Sequence, residues 1–434
     1  MNYIISRFTK TVQFEDKMLL YNSYTEHFGV LELEVYKKLL ANIGIINEKH
    51  PLVKYGFVVE TNTDEYLLGK DKANQYIYSG ILDLTIFISA DCNLNCVYCF
   101  EVQEHVTMAD NVIQRIIQFI QHNIRHYAQV RIEWFGGEPL LAKSKIYAFS
   151  DSVIDVCRKT SRLYSATITT NGVLLDVATF KELIRRKVYT YIITLDGLPE
   201  IHDKYRRGRD NQGSFFKILN NLRSIRDNVK TNTFSIVIRT NVTTETYQSL
   251  NEYISLLYKE FGKDNRFAFV FSPVYDWGGN SVKEISDKMV YTLSPLYQKI
   301  IEINYPLNFS LVKEDLRNHI CKYGQKNTYS IDVYGNLLRC PQEMNEFYGK
   351  FKNNGILEKD DRKIATWCGM TSVGFNDCQT CNDYPLCLGK SCIRNLRYIK
   401  AYDRLSNNCK QQTIDFEDII RLLYHFHRNL FISI

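Results

Sequence analysis

Along most of its length the chain alternates between short runs of β-branched and aromatic residues and longer stretches in which apolar positions return every third or fourth residue. Six of the short runs predict strands: 83–89 (DLTIFIS), 129–135 (QVRIEWF), 164–170 (YSATITT), 188–195 (VYTYIITL), 233–240 (TFSIVIRT) and 266–272 (RFAFVFS). Most are continuous apolar runs, the pattern of strands buried on both faces. Between them the periodicity predicts helices near 108–127, 144–161, 177–187, 214–228 and 245–260, with a longer one near 281–304. This alternation predicts parallel strands joined by right-handed crossovers, either in an open doubly wound sheet or in a barrel-like one. In both, loops leaving the C-terminal ends of the strands carry the chemistry.

The first 80 or so residues have a different rhythm. Short alternating stretches at Tyr3 to Phe8, Thr11 to Phe14 and Met18 to Tyr21 precede a helix in which Leu31, Val35 and Leu39 recur every fourth residue, and a turn at Pro51 to Gly56 leads into Phe57-Val58-Val59. The pattern predicts a small α+β module and gives no clear third helix. After about residue 305 the chain becomes cysteine-rich and loop-rich, and it closes with an apolar helical tail from Ile414 to Phe431.

Composition narrows the function classes. With 54 Lys and Arg against 48 Asp and Glu, the net charge of +6 is mild for this length and does not argue for a nucleic-acid partner. The 45% hydrophobic and 24% charged content excludes a disordered or fibrous chain. No run of about 18 apolar residues occurs, and Met1 to Arg7 lacks the character of a signal peptide, so a cytoplasmic protein with no membrane partner is expected. The informative residues are the twelve cysteines: Cys92, Cys96, Cys99, Cys157, Cys321, Cys340, Cys368, Cys378, Cys381, Cys387, Cys392 and Cys409. Tight cysteine spacing in such a chain points to metal or redox chemistry more than to disulfides. Cys157 lies on an apolar helix face and reads as core.

Cys92, Cys96 and Cys99 fall in the loop leaving the first predicted strand, spaced C-x3-C-x2-C. Three thiolates can hold three irons of a [4Fe-4S] cube and leave the fourth open, whereas a purely electron-carrying cluster generally has four cysteine ligands. Tetrahedral zinc also needs a fourth ligand, and none is close in sequence. The second strand ends in Trp134-Phe135-Gly136-Gly137-Glu138-Pro139, where two glycines permit close backbone approach to a small zwitterion. The triplet together with this Gly-Gly-Glu-Pro resembles the radical S-adenosylmethionine (radical SAM) enzymes. The resemblance implies that the open iron chelates the amino and carboxylate groups of S-adenosylmethionine and that Gly136, Gly137, Glu138 and Pro139 hold its amino group. It also implies ribose contacts at Thr169 and Asn171 and at Thr194 and Asp196, and an adenine-side role for Tyr98. Taken from the residues alone, those strand ends read equally as Asx or Thr turns. His202 to Arg206 resembles a further family segment, and Lys204, Arg206, Arg207 and Arg209 otherwise read as a solvated charged loop.

Further along, thirteen residues separate Cys321 from Gly335 and four separate Gly335 from Cys340; then come Cys378-x2-Cys381-x5-Cys387-x4-Cys392 and Cys409. On spacing alone, Cys378 to Cys392 could hold one zinc ion. The order of all seven resembles the SPASM extension of radical SAM enzymes, which implies two auxiliary [4Fe-4S] clusters, one on Cys321, Cys340 and Cys392 and the other on Cys378, Cys381, Cys387 and Cys409. Two departures stand out: the gap before Cys392 is four residues instead of three, and no cysteine lies between Cys321 and Cys340. The first auxiliary cluster is therefore either open or completed by Cys368, which reads equally as a small buried residue.

The resemblance implies an α/β fold: a partial (β/α)6 TIM-type barrel over 81–305, a small α+β, winged-helix, recognition-element-like module over 1–80, a SPASM domain over 306–412 and a helical tail over 413–434. The activity implied is reductive cleavage of S-adenosylmethionine to a 5′-deoxyadenosyl radical that abstracts hydrogen. The expected substrate is a ribosomally made precursor peptide with a leader, in which a thioether, sulfur-to-α-carbon or carbon-carbon cross-link is installed. The electron donor would be of flavodoxin or ferredoxin type. No catalytic acid or base is assigned. Asp276 and Trp277 stand on the same rim as either substrate-side or loop residues. Two other readings are an anaerobic sulfatase-maturating type of enzyme, which makes formylglycine, and a non-enzymatic iron-sulfur protein that binds peptides or carries electrons.

Overall fold

The computed structural model describes residues 2–274, 281–290, 292–308, 321–344, 346–372 and 416–434. Two compact units form: residues 1–78 with 292–326 and 365–434, and residues 79–291 with 327–364. Among the described residues no helix is long and apolar enough to cross a membrane.

In the first unit β1 (Tyr3–Ile5) leads into an antiparallel meander of β2 (Thr9–Phe14), β3 (Lys17–Asn22) and β4 (His27–Glu32). Helices α1 (Leu33–Ala41) and α2 (Pro51–Lys54) follow, then β5 (Val58–Glu60), which returns antiparallel to β1, and α3 (Glu65–Ile77). Tyr3, Leu20, Leu31, Leu52, Phe57 and Val58 form the core. The Asn22 side chain ties the unit together, donating to the Gly56 carbonyl at 2.6 Å and accepting the Tyr24 and Thr25 N–H groups at 3.0 and 2.8 Å.

The fourth-residue repeat of Leu31, Val35 and Leu39 does not form one buried helix face. Leu31 belongs to β4, opposite Met18, and Val35 is 43% exposed, because strand pairing runs on through Glu32 before the helix begins. The third helix, α3, escapes the apolar pattern because its buried positions are Glu65, Gly69, Ala73 and Ile77, mostly small or polar. The tail differs as well. Its helix spans Phe416–Phe426, and Phe431–Ser433 forms a strand parallel to β4.

The second unit carries the strand-helix alternation. Its elements are β6 (Ile81–Ser89), a short β7 (Leu94–Cys96), α4 (Asp110–Asn123), β8 (Gln129–Gly136), α5 (Lys143–Lys159), β9 (Leu163–Thr170), α6 (Val177–Arg185) and β10 (Val188–Thr194). They continue through α7 (Pro199–Tyr205), β11 (Arg206–Gly208), α8 (Phe215–Asn228), β12 (Ser235–Val242), α9 (Thr244–Gln248), α10 (Leu250–Phe261) and β13 (Phe267–Pro273). The six long strands pair in parallel in sequential order, β6 to β8, β9, β10, β12 and β13. The sheet does not close. Beyond β6 it continues with β14 (Thr328–Ile331), parallel to β6, and then antiparallel β15 (Asn336–Leu338), β16 (Phe347–Phe351) and β17 (Leu357–Lys359). Residues 328–359, expected to be loop-rich, thus extend the main sheet as short strands.

Of the six, β6 is buried from Leu82 to Ser89, but β8, β9 and β10 alternate. Trp134, Ile168 and Tyr191 are fully buried, Trp134 edge-on to Phe149 of α5 at 5.2 Å and Tyr191 against Phe180 of α6 at 4.4 Å. Glu133, Thr167, Thr169, Ile192 and Thr194 are only half-buried. An unclosed sheet leaves that face without interlocking side-chain layers, so these strands are not buried on both sides as their composition suggests. The helix expected over 281–304 is interrupted: a kinked 3₁₀ stretch occupies Ser281–Lys288 and an α-helix Ser294–Ile303. Pro295 fits only the first turn of that helix, where its missing N–H costs nothing.

The indole N–H of buried Trp134 has no hydrogen-bond partner. Trp134→Ala is expected to lower unfolding stability by about 3–5 kcal/mol, whereas Trp134→Phe costs only about 1 kcal/mol, because no buried bond is lost. Urea denaturation of the two variants checks the contrast.

Candidate functional site

The loop after β6 is held by a partner strand and does not hang free. Within it β7 pairs antiparallel with β11, setting Cys96 opposite Arg206 and Leu94 opposite Gly208, and the Val97 N–H donates to the Tyr205 carbonyl at 3.1 Å. Asp91 accepts the Cys92 N–H at 2.9 Å, and the Cys92 sulfur accepts the Leu94 N–H at 3.4 Å and the Asn171 side-chain amide at 3.8 Å. Cys92 is buried; Cys96 and Cys99 are half-buried.

The three thiols lie within one another's electrostatic reach. Burial pushes Cys92 and Cys99 up to about 12, and it raises Cys96 too, against the pull of the Arg206 charge. Such thiols stay neutral near pH 7 and become ligands only when a metal supplies the compensating charge. Among the described residues no three Cys, His, Asp or Glu side chains stand close enough to share one metal ion. A cube makes a different demand, since each thiolate meets its own iron.

The Gly-Gly-Glu-Pro segment runs directly against this loop. The Gly137 N–H donates to the Ser89 carbonyl at 2.9 Å and the Glu138 N–H to the Asp91 carbonyl at 2.8 Å. Gly136 has φ +109°, and a Cβ there would stand 2.2 Å from the Ser89 carbonyl oxygen; at Gly137 it would stand 2.4 Å from that of Asp91. Only glycine permits this approach. Glu138 is fully buried, and its carboxylate accepts the Thr170 hydroxyl at 2.7 Å, the Asn171 N–H at 2.7 Å and the Leu140 N–H at 2.9 Å. It therefore fastens the end of β8 to the end of β9, and Pro139 begins the 3₁₀ turn that follows.

The remaining sequence-selected residues divide into two groups. Asn171 spends its side-chain amide on Cys92 and on Asn93, the latter at 2.7 Å, and its oxygen accepts the Val173 N–H at 3.0 Å. Thr169 and Thr194 sit on the half-buried face of the sheet. Tyr98 and Asp196 belong to a buried network. The Tyr98 hydroxyl donates to one Asp196 oxygen and accepts from Arg206 at 2.8 Å and from the Asn241 amide at 3.2 Å, while the other Asp196 oxygen accepts the Asn241 N–H at 2.7 Å.

Arg206, read from the sequence as part of a solvated loop, is only 7% exposed, and its Nε–H has no partner. An orphan buried donor beside Cys96 and Asp196 is chemically suited to a carboxylate. Asn241 escaped the sequence reading, and His202 entered it only through the likeness of residues 202–206 to a family segment, without a role. Fully buried His202 accepts the Asp196 N–H on Nδ1 at 3.1 Å, so its Nε2 carries the proton and donates to Ser214 at 3.0 Å. Ser214 in turn donates to the Arg206 carbonyl at 2.6 Å. Burial, helped by the Arg206 charge, holds His202 well below its usual 6.5.

Of the second cysteine group, Cys340 and Cys368 are buried and Cys321 is half-buried. Cys378, Cys381, Cys387, Cys392 and Cys409, like Asp276 and Trp277, lie outside the described residues.

Two variants test the supports. Glu138→Gln sets an amide where three donors converge and is expected to cost about 2–3 kcal/mol by thermal or urea unfolding. Because the folded pKa of His202 is depressed, the unfolded chain takes up the extra proton first as pH falls below 6.5. Stability is lost on acidification from that point, at up to about 1.4 kcal/mol per pH unit, until the folded value is reached. In His202→Gln this slope is expected to disappear from unfolding curves measured across that range.

Residues 86–257 match the Radical SAM superfamily. The chain is 25% identical over 345 residues to a cysteine-type anaerobic sulfatase-maturating enzyme of Clostridium novyi, covering 71% of this chain and 86% of that one. It is 28% identical over 163 residues to a serine-type counterpart of Bacteroides thetaiotaomicron, covering 35% and 38%. Its fold is similar to that of anSMEcpe with bound AdoMet and Kp18Cys peptide (TM-score 0.58, 17% identity, 81% of this chain and 98% of that one). It is also similar to that of Streptococcus suis SuiB bound to the precursor peptide SuiA (TM-score 0.50, 15% identity, 91% and 97%). With the cysteine triplet and the Gly-Gly strand end seated at one mouth of a parallel sheet, the chain is an enzyme that carries a radical SAM domain, matched over residues 86–257.

Proposed function

We propose that the enzyme abstracts hydrogen from a residue of a ribosomally made precursor peptide and installs a thioether, sulfur-to-α-carbon or carbon-carbon cross-link. The observation that carries this reading is the thiol triplet on a loop whose start, at Ser89 and Asp91, is packed against the Gly136-Gly137 backbone, with an unsatisfied buried guanidinium N–H on the strand opposite Cys96. Cys92, Cys96 and Cys99 would hold a [4Fe-4S] cube. The Gly136 and Gly137 backbone and the Arg206 Nε–H would orient the methionyl end of S-adenosylmethionine, and Tyr98, Thr169, Asn171, Thr194 and Asp196 border the nucleoside side. Held there, the cluster and nucleotide would supply radical chemistry able to take hydrogen from an unactivated C–H bond.

The chain's own contribution is placement and exclusion of water. The β7–β11 pairing holds the cysteine loop, Glu138 locks two strand ends together, and the Tyr98–Asp196–Arg206 network balances charge without solvent. Auxiliary [4Fe-4S] clusters on Cys321, Cys340 and Cys392 and on Cys378, Cys381, Cys387 and Cys409, with Cys368 as a further ligand candidate, would take up an electron or orient a substrate thiol. The 78 residues that open the first unit support a peptide substrate, because a small antiparallel sheet suits pairing with an extended chain.

A second reading has its own support. The match to a sulfatase-maturating enzyme covers 86% of that relative, which favours oxidation of a Cys or Ser to formylglycine in a protein substrate.

Anaerobic reconstitution with iron and sulfide, a strong reductant and S-adenosylmethionine is expected to yield 5′-deoxyadenosine, and Cys96→Ala is expected to abolish it with the fold retained. Absence of the nucleoside from the wild-type reaction defeats the enzymatic proposal. Mass spectrometry of co-expressed peptides separates the two readings: loss of two hydrogens with no hydrazine-reactive aldehyde marks a cross-link, whereas a hydrazine-reactive aldehyde marks formylglycine, formed from serine by loss of two hydrogens or from cysteine by loss of two hydrogens with sulfur replaced by oxygen.

A further inference from the structure

The meander of the first unit has one edge that the chain itself covers. On one side β4 pairs with β3 along all six of its residues; on the other it carries only Phe431–Ser433, in parallel, with Phe431 opposite Phe28, Ile432 opposite Gly29 and Ser433 opposite Val30. The Ile434 N–H adds one bond to the Val30 carbonyl at 3.0 Å. A three-residue parallel ladder lies at the short, weak end of strand pairing.

Two side chains make it specific. Phe431, 8% exposed, sits between Phe28 at 5.1 Å and Tyr424 at 5.0 Å. Ile434 drops into a seat that exists because residue 29 is glycine. A Cβ there would stand 2.6 Å from the Ile434 Cδ1 and 2.9 Å from the Phe57 ring. Through this seat Ile434 reaches the core cluster of Leu20, Leu31 and Phe57. Between the two anchors Ile432 is half-exposed and Ser433 exposed. The edge thus offers a backbone ladder, an aromatic site and, three residues on, an aliphatic socket. Those are the parts by which an added strand is recognised: main-chain bonds for affinity and side-chain pockets for register.

We propose that the β4 edge is the peptide-binding edge of this unit and that Phe431–Ile434 is a resident occupant, displaced when an extended substrate segment with an aromatic residue and, three positions later, a branched aliphatic residue takes its place. The proposal rests on the peptide-substrate reading above, and it makes peptide engagement a strand exchange whose apparent affinity is reduced by the resident strand.

The probe is a fluorescent synthetic peptide copying Asn429 to Ile434, added to the full chain. A Phe431→Ala/Ile434→Ala double variant loosens the resident strand and is expected to bind the probe about tenfold more tightly than wild type, by fluorescence anisotropy. Adding Gly29→Val, which fills the seat, is expected to abolish that gain at unchanged circular dichroism. Equal binding to wild type and double variant, or a gain that survives Gly29→Val, overturns the proposal. Should the variants misfold, hydrogen exchange of the wild type decides: the Ile434 amide is expected to exchange faster than the β3 amides, and equal protection overturns the idea. Formation of 5′-deoxyadenosine does not involve this edge and is expected to persist in every variant. Failure of strand exchange with that activity intact therefore rejects the edge alone, whereas loss of the nucleoside from wild type rejects the enzymatic reading.

Discussion

Three thiols must be kept close together and away from water, yet remain uncharged until metal arrives. A buried thiolate with no compensating cation is costly, and burial raises Cys92, Cys96 and Cys99 accordingly. The loop that bears them cannot hold this arrangement through its own short-range contacts. It borrows order from β11, which zips onto β7, from the Asn171 amide on the Cys92 sulfur, and from the Gly136-Gly137 backbone pressed against Ser89 and Asp91. Preorganisation lowers the ordering cost of metal binding, and the charge of a bound metal would convert these thiols into a ligand set.

The same constraint shapes the polar residues nearby. A buried guanidinium and a buried carboxylate meet through one phenol, Tyr98, so neither charge is left uncompensated. His202 is kept neutral and in one tautomer by accepting from Asp196 and donating to Ser214, which carries order from α7 to the Arg206 backbone. Glu138 performs a comparable task at the β8 and β9 ends, where three donors stabilise a carboxylate that burial disfavours. Residues that look like ligand contacts along the sequence thus also hold the frame on which a ligand would sit, and a donor left over at this site among the described residues, the Arg206 Nε–H, belongs to a residue that, apart from the family resemblance, reads as part of a solvated loop.

Where local pattern and long-range pairing agree, sequence and structure coincide. All six long strands lie within two residues of their predicted limits, because β-branched runs bounded by helical periodicity leave little choice. The differences arise where apolar periodicity carries no information about burial. α3 packs through Gly69 and Ala73, which no hydrophobic pattern marks. Leu31 obeys a helical spacing by chance while belonging to β4. Thr167, Thr169 and Thr194 alternate with apolar residues on strands whose second face stays half-open because the sheet does not close.

By itself the sequence determined what is encoded within a few residues: the cysteine spacing, the paired glycines, the strand-helix alternation and hence the mouth of the sheet at which the chemistry gathers. Tertiary structure alone decided which charges are buried and which edges are covered. Arg206 reaches Tyr98 across 108 positions, and Phe431 reaches Phe28 from far along the chain. Such pairings depend on the register of strands that meet only after folding, and no local periodicity specifies that register.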